Sequence, residues 1–169
     1  DYTAEVGFIP RKNYFKLQAK GGHLIFTKKE TKLLSHGPSV AQTYFFNTEW
    51  DNKDQLTSLK YLFNFKNRSR LTIGFQNQFI KLISDFDPLR TGIEILKADT
   101  GHRWNSYNIS YDAKPQNRFT YSLETITGGY YNEGKRYAFL GEFGYRFQPF
   151  LEISSVLNFN QINLPAPWN

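Results

Sequence analysis

The feature that most constrains this chain is a strict two-residue alternation of apolar and polar side chains, held over segments of about ten residues and cut by turn residues. A pleated strand sends successive side chains to opposite faces, so this pattern dictates sheet and not helix. Leu59, Tyr61, Phe63 and Phe65 oppose Ser58, Lys60, Asn64 and Lys66, with Leu62 the exception. Leu71, Ile73, Phe75 and Phe79 oppose Thr72, Gly74, Gln76 and Gln78. Tyr107, Ile109 and Tyr111 oppose Ser106, Asn108, Ser110 and Asp112, and Phe119, Tyr121 and Leu123 oppose Thr120, Ser122 and Glu124. Tyr137, Phe139, Phe143, Tyr145 and Phe147 then oppose Arg136, Glu142, Gly144 and Arg146. Leu151, Ile153, Leu157 and Phe159 close the series against Glu152, Ser154, Asn158 and Asn160. Ser39–Trp50 and one or two strands between Tyr14 and Ser35 read less cleanly, and Lys28-Lys29-Glu30-Thr31-Lys32 breaks the pattern. The expected fold is all-β: an antiparallel up-and-down meander of eight or nine long strands over residues 1–169, forming part or all of a transmembrane β-barrel.

Turn chemistry punctuates the strands. The expected turns are Lys20-Gly21-Gly22-His23, His36-Gly37-Pro38, Asp51-Asn52-Lys53-Asp54, Asn67-Arg68-Ser69, Lys114-Pro115-Gln116-Asn117, Asn132-Glu133-Gly134-Lys135 and Gln148-Pro149. One connection is long, Ser84 to His102, with a candidate short strand at Gly92–Leu96. In a meander alternate turns share a rim. The tight ones at 148–149, 114–117, 67–69 and 37–38 then fall on one rim and the long loop on the other. Outer-membrane barrels have short periplasmic turns and longer outside loops, so the tight rim is expected to be periplasmic.

A soluble sandwich alternates too, with its apolar face inward. Three features favour a membrane. The strands run to 10–13 residues, whereas soluble ones average about 5–6 and tilted membrane strands need about 9–11. Aromatic residues, 18% of the chain, recur near strand ends (Tyr44, Trp50, Tyr61, Trp104, Tyr111, Tyr137, Phe147), where interfacial girdles belong. The polar face mixes Gln, Asn, Ser and Gly with both charge signs, as a hydrated lumen does. On this reading Leu59, Tyr61, Phe63, Leu71, Ile73, Phe75, Tyr107, Ile109, Phe119, Tyr121, Phe139, Phe143, Tyr145, Leu151 and Ile153 face lipid. Lys60, Gln76, Gln78, Asn108, Glu124, Arg136, Glu142, Arg146, Glu152 and Asn158 face the lumen. An open sheet edge is not tolerated in hydrocarbon, so these strands are expected to close on themselves or on further strands.

No run of about 18 apolar residues exists and the mean hydropathy is −0.56, which excludes a helical span. There is no cysteine, hence no disulfide, thiolate or cysteine-based metal chemistry. The net charge of +6 admits attraction to anionic lipid headgroups or nucleic acid, but the basic residues sit in many turns and form no long block, so a fragment whose missing regions carry the acids is the plainer reading and no nucleic-acid partner is expected. No nucleophile elbow, zinc-binding helix or phosphate-cradling loop is present, and Gly128-Gly129 followed by Gly134-Lys135 mimics the last poorly. His23, His36 and His102 fall in expected turns or loops, where solvation is their ordinary state. Asp85, Asp87 and Asp99 in the long loop have the oxygens to bind calcium, but a hydrated loop is the plainer reading. Glu124, Glu142 and Glu152 with Arg136, Arg146, Lys60 and Lys66 form a candidate lumenal charge ladder, since inward charges in a barrel pair. The chain starts at Asp1 and stops at Pro165-Ala166-Pro167-Trp168-Asn169 without the look of natural ends, so a piece of a larger protein is expected. No metal, cofactor or catalytic residue is expected, and the chain reads as non-enzymatic.

Ala4-Glu5-Val6-Gly7-Phe8-Ile9-Pro10-Arg11-Lys12-Asn13-Tyr14, Leu34-Ser35-His36-Gly37-Pro38, Phe86-Asp87-Pro88, Tyr145-Arg146-Phe147-Gln148-Pro149-Phe150 and Asn160-Gln161-Ile162-Asn163-Leu164-Pro165-Ala166-Pro167 occur in that order across nearly the whole chain. In these stretches the sequence resembles a family of large bacterial outer-membrane proteins, found mostly in Bacteroidetes, that join a periplasmic family-9-like carbohydrate-binding module to a β-barrel of unknown function. The resemblance implies an internal section of the barrel, in the bacterial outer membrane, with the module and further strands absent. It also implies contact with outer-membrane lipid, a glycan ligand only through the missing module, and no catalytic residue. The rival readings are an interaction subunit of an outer-membrane complex, a soluble all-β binding domain, and a barrel enzyme acting on lipid or glycan.

Overall fold

The computed structural model describes residues 14–165, apart from 89–91, 93–94, 115, 132 and 148–149. Among these residues there is no helix. One antiparallel sheet holds nine strands: β1 (Tyr14–Gly22), β2 (Ile25–Phe26), β3 (Leu33–Asn47), β4 (Asn52–Phe65), β5 (Arg70–Lys81), β6 (Gly101–Asp112), β7 (Phe119–Tyr130), β8 (Gly134–Phe147) and β9 (Leu151–Asn163). Their order is β1-β3-β4-β5-β6-β7-β8-β9, with the two-residue β2 paired to β3 just beyond β1. Apart from β1 and β2, the strands run 12 to 15 residues. The sheet is not closed: β1 and β9 each pair on one side only.

The meander sorts the connections onto two rims. One, here the turn rim, carries the loop from β2 to β3 and the β4–β5, β6–β7 and β8–β9 turns. The other, the loop rim, carries the β3–β4 turn, the long 82–100 loop and the β7–β8 turn. Asn residues tie two of the tight turns. Asn47 Oδ1 accepts the Glu49 and Asp51 amides at 3.0 and 2.8 Å, and Asn67 Oδ1 accepts those of Ser69 N–H and Oγ–H at 3.0 and 2.7 Å. This local bonding is why Asn punctuates strands.

Several expected turns are displaced. Gly37 and Pro38 lie inside β3. Pro38 sits where the neighbouring chain passes from β1 to β2: Gly22 pairs with Ser39 and Ile25 with His36. The missing N–H of Pro38 faces that interruption, so no ladder bond is lost, while its carbonyl accepts His23 N at 3.0 Å. A Cβ on Gly37 would stand 1.8 Å from the His23 carbonyl oxygen; glycine is there for a close backbone approach and not for a turn. Asn52, Lys53 and Asp54 belong to β4, the turn before them being Asn47–Asp51. Gly21 and Gly22 end β1, and Gly134 begins β8. His36 and His102 are strand residues, leaving His23 in a connection. The pattern break at 28–32 is the turn entering β3. Among the described residues the long loop holds one isolated bridge, Phe86 with Leu96, and Gly92 and Ile95 of the candidate strand at 92–96 are not in strand; residues 93–94, the turn at 148–149 and most of the Ala4–Tyr14 stretch lie outside the described residues.

Candidate functional site: an inverted two-faced sheet

Register decides which side chains share a face. Leu59 pairs with Phe75, Tyr61 with Ile73 and Phe63 with Leu71; Ile73 pairs with Ile109 and Phe75 with Tyr107. Tyr121 pairs with Phe143, Tyr145 with Ile153 and Phe139 with Phe159. Following the ladders across, all fifteen side chains expected against lipid fall on one face. On the other face Gly74 pairs with Asn108 and Gln76 with Ser106, Ser110 with Glu124, Ser122 with Glu142 and Arg146 with Glu152. All ten side chains expected in the lumen fall there. Apolar residues also reach this polar face, Leu56, Leu62 and Ile126 among them, so its alternation is imperfect.

Burial is inverted with respect to a soluble protein. The buried apolar residues are Leu82, Leu96 and Leu164, all outside the strands. The buried residues within strands include Ser35, Thr43, Ser58, Thr72 and Asn108, all on the polar face. The aromatic face is open along its length: Tyr107 is 57% exposed, Ile109 48% and Leu157 56%. No second sheet or helix covers it among the described residues. Over β3–β6 the polar face is therefore the more enclosed side. Gly74 leaves room for Asn108 there; a Cβ would meet Asn108 Oδ1 at 2.1 Å.

The aromatic face has structure of its own. Small residues of β1 beside bulky neighbours open a shallow groove of 690 Å³ lined by Gly21, Pro38, Val40, Leu59, Ile73 and Tyr107. Toward the loop rim the face turns polar, which the alternation alone did not suggest. Thr57 donates to Gln42 at 2.6 Å, Arg103 to Asn77 at 2.8 Å and to Gln55 at 3.4 Å, and Asn77 to Asn105 at 2.6 Å. On β4 the unbroken apolar run from Leu59 to Phe65 spans roughly 20 Å at about 3.4 Å per residue. On β8 aromatic residues recur from Tyr137 to Phe147, nearly the whole strand.

The expected charge ladder forms in part. Arg146 Nε lies 3.3 Å from Glu152 across β8 and β9. Arg136 donates to Asn160 at 3.0 Å and lies over the Tyr130 ring. Glu124 and Glu142 face Ser110 and Ser122 across the ladder and make no ion pair among the described residues. Trp104, expected in an interfacial girdle, is instead on the polar face, paired with Gln78. It packs on Tyr131 at 4.7 Å between ring centres, and Tyr131 also meets Tyr130, His102 and Phe86. The Gly128-Gly129 pair allows this: Gly128 has φ 152°, and a Cβ on either residue would strike β6 at Asn105 or Trp104. These glycines bring two strands together and cradle no phosphate.

The long loop is tied down. Leu82 N donates to Thr100 O at 3.0 Å, and Phe86 and Leu96 exchange two backbone bonds at 2.9 and 2.8 Å. Its three aspartates take separate partners: Asp85 the Ala98 amide and Lys97, Asp87 the Gly92 amide, Asp99 the Lys81 ammonium. No group of three His, Asp or Glu side chains suited to a metal occurs among the described residues. The Ala98 amide, and then Lys97, hold the Asp85 carboxyl below its usual range.

Comparison with family models, curated proteins and solved structures finds no match for this chain.

Proposed function

We propose that this chain is a section of the wall of a membrane-spanning β-barrel in a bacterial outer membrane, with its aromatic face against acyl chains and its polar face toward a wet lumen. The inverted burial carries this reading: Ser, Thr and Asn on the enclosed side, Leu, Ile, Phe and Tyr open on the other. In water the open face would stand far beyond the few hundred Å² of contiguous apolar surface that monomers tolerate. In hydrocarbon it is at no disadvantage, and the antiparallel ladders pair the backbone groups of neighbouring strands. A hydrated lumen also supplies partners for Ser58 Oγ and Asn108 Oδ1, which are enclosed and have none in the protein. The polar row at Gln42, Thr57, Asn77 and Asn105 marks where headgroups begin, so the loop-rim ends of β3–β6 project beyond the bilayer. The open edges of β1 and β9 take further strands. The role is non-enzymatic: conduction through the lumen or scaffolding, with carbohydrate handling through a separate module as the resemblance implies. The groove on the aromatic face supports a second reading, in which part of that face packs against a partner protein of an outer-membrane complex.

The test is substitution by face. Ile109→Lys and Leu157→Lys are expected to cost about 2–4 kcal/mol each in urea titrations of the closed barrel folded in lipid vesicles. Gln76→Lys, on the other face, is expected to cost under about 0.5 kcal/mol. A chain that stays monodisperse without detergent and tolerates both lysines on the aromatic face would refute the membrane reading.

A further inference from the structure

The two rims hold their cations differently. On the loop rim Lys53 lies 3.6 Å from Asp51, Lys81 3.7 Å from Asp99 and Lys97 3.2 Å from Asp85. On the turn rim Lys28, Lys29, Lys32, Lys66, Arg68 and Lys114 make no ion pair among the described residues, and Arg118 adds to them. The acids of that rim are few: Glu30, Asp112, which accepts the Ser122 hydroxyl, and Glu152, which pairs with Arg146. The cations are also brought together. Lys66 Nζ donates to the Lys29 carbonyl at 2.5 Å and Lys66 N to the Lys32 carbonyl at 3.0 Å. The Arg68 guanidinium meets the Gln116 side-chain oxygen of the next turn. Three connections far apart in sequence thus form one continuous basic edge. Immediately below it, on the aromatic face, stand the strand-end rings of Phe63, Phe65, Tyr111 and Phe119.

We infer that the turn rim docks on the anionic phospholipid headgroups of the leaflet it meets, the unpaired lysines and arginines binding phosphates just above the aromatic belt. The inference rests on the membrane-wall reading and adds to it which rim is anchored and by what chemistry. Like charges crowded on one edge repel one another, and that repulsion is relieved when phosphates lie between them. Each basic side chain near an anionic surface is worth about a fivefold gain in partition, fading within a Debye length. The loop rim carries Lys135 and Arg103 beside its three ion-paired lysines, but Glu49, Asp51, Asp54, Asp85, Asp87, Asp99 and Glu133 offset them, so it gains nothing comparable.

The test folds the protein, complete with the strands that close its sheet edges, from urea into vesicles of phosphatidylcholine alone or mixed with phosphatidylglycerol, at low and high salt. Insertion into both, with an advantage of roughly tenfold or more for the anionic vesicles that salt removes, is expected. The combined variant Lys28→Gln, Lys29→Gln, Lys32→Gln, Lys66→Gln, Arg68→Gln and Lys114→Gln should still insert into phosphatidylcholine but lose the advantage. Lys53→Gln, Lys81→Gln and Lys97→Gln together should retain it. Equal insertion of the native chain into both vesicles overturns the headgroup inference and leaves the membrane wall standing. So does an advantage erased by inorganic phosphate at constant ionic strength, which would point to free phosphate as the ligand. Failure to insert into either overturns both.

Discussion

At the scale of single residues, special backbone needs explain choices that composition hides. Trp50, Arg68, Asp99 and Glu133 all sit at left-handed φ near 60–70° in connections, a conformation that costs a residue with a Cβ about 1–2 kcal/mol. Glu133→Gly is expected to stabilise the fold by about 0.5 kcal/mol, the relief of that cost less the greater entropy of glycine when unfolded, read as a raised urea midpoint at constant slope. Gly74 is the opposite case. Gly74→Ala should cost about 1–3 kcal/mol, because the added methyl collides with the enclosed Asn108 side chain. Asn108→Ala in the same chain should restore much of it, a coupling that a double-mutant cycle measures. Asp85 sets a pH dependence for the long loop. Its carboxyl is held below the usual 3.8 by the Ala98 amide and Lys97, so the folded loop favours the charged form. That contribution is complete above the unfolded value and disappears as pH falls through the lower folded one. Carboxyl NMR titration of Asp85 should therefore show a midpoint below 3.8, and Asp85→Asn should make loop order insensitive to pH in that window.

At the scale of elements, the period of two did the most. From β4 to β9 it gave each strand's existence and both faces, because the pleat admits no other arrangement once a strand forms. It failed in β3, where His36-Gly37-Pro38 carries every mark of a turn yet lies in strand. The sequence there encodes a tertiary fact, the passage of His23 against Gly37, which no local pattern announces. It failed again on the loop-rim half of the aromatic face, where Gln42 accepts from Thr57, Arg103 donates to Gln55 and Asn77, and Asn77 donates to Asn105, a row across four strands. Each is a polar residue out of phase in its own strand, and only the register shows that they form one row. Trp104 was misplaced for a related reason. Its position near a strand end suggests a girdle, but its parity puts it opposite Gln78, against Tyr130 and Tyr131.

At the scale of the whole molecule, the sheet is a single layer with two unequal edges. β1 and β9 are exposed over nearly all their residues, and long bare edges are a liability that barrels remove by closure. In the isolated chain, amides of β4–β6 are expected to exchange slowest and the outward amides of β1 and β9 within the fastest class of the strands. If further strands close the wall, those edge amides become as protected as the centre. Hydrogen exchange of the isolated chain against the assembled protein separates the two states.

What the sequence determined by itself was the strand period, the strand length and hence two chemically opposite faces, since these follow from side-chain alternation along one extended backbone. The open sheet, the polar row within the aromatic face, the aromatic cluster behind Trp104 and the gathering of unpaired cations on one rim were decided by tertiary structure. Each depends on which strand lies beside which and in what register, and backbone pairing carries that information only after residues far apart in sequence have met.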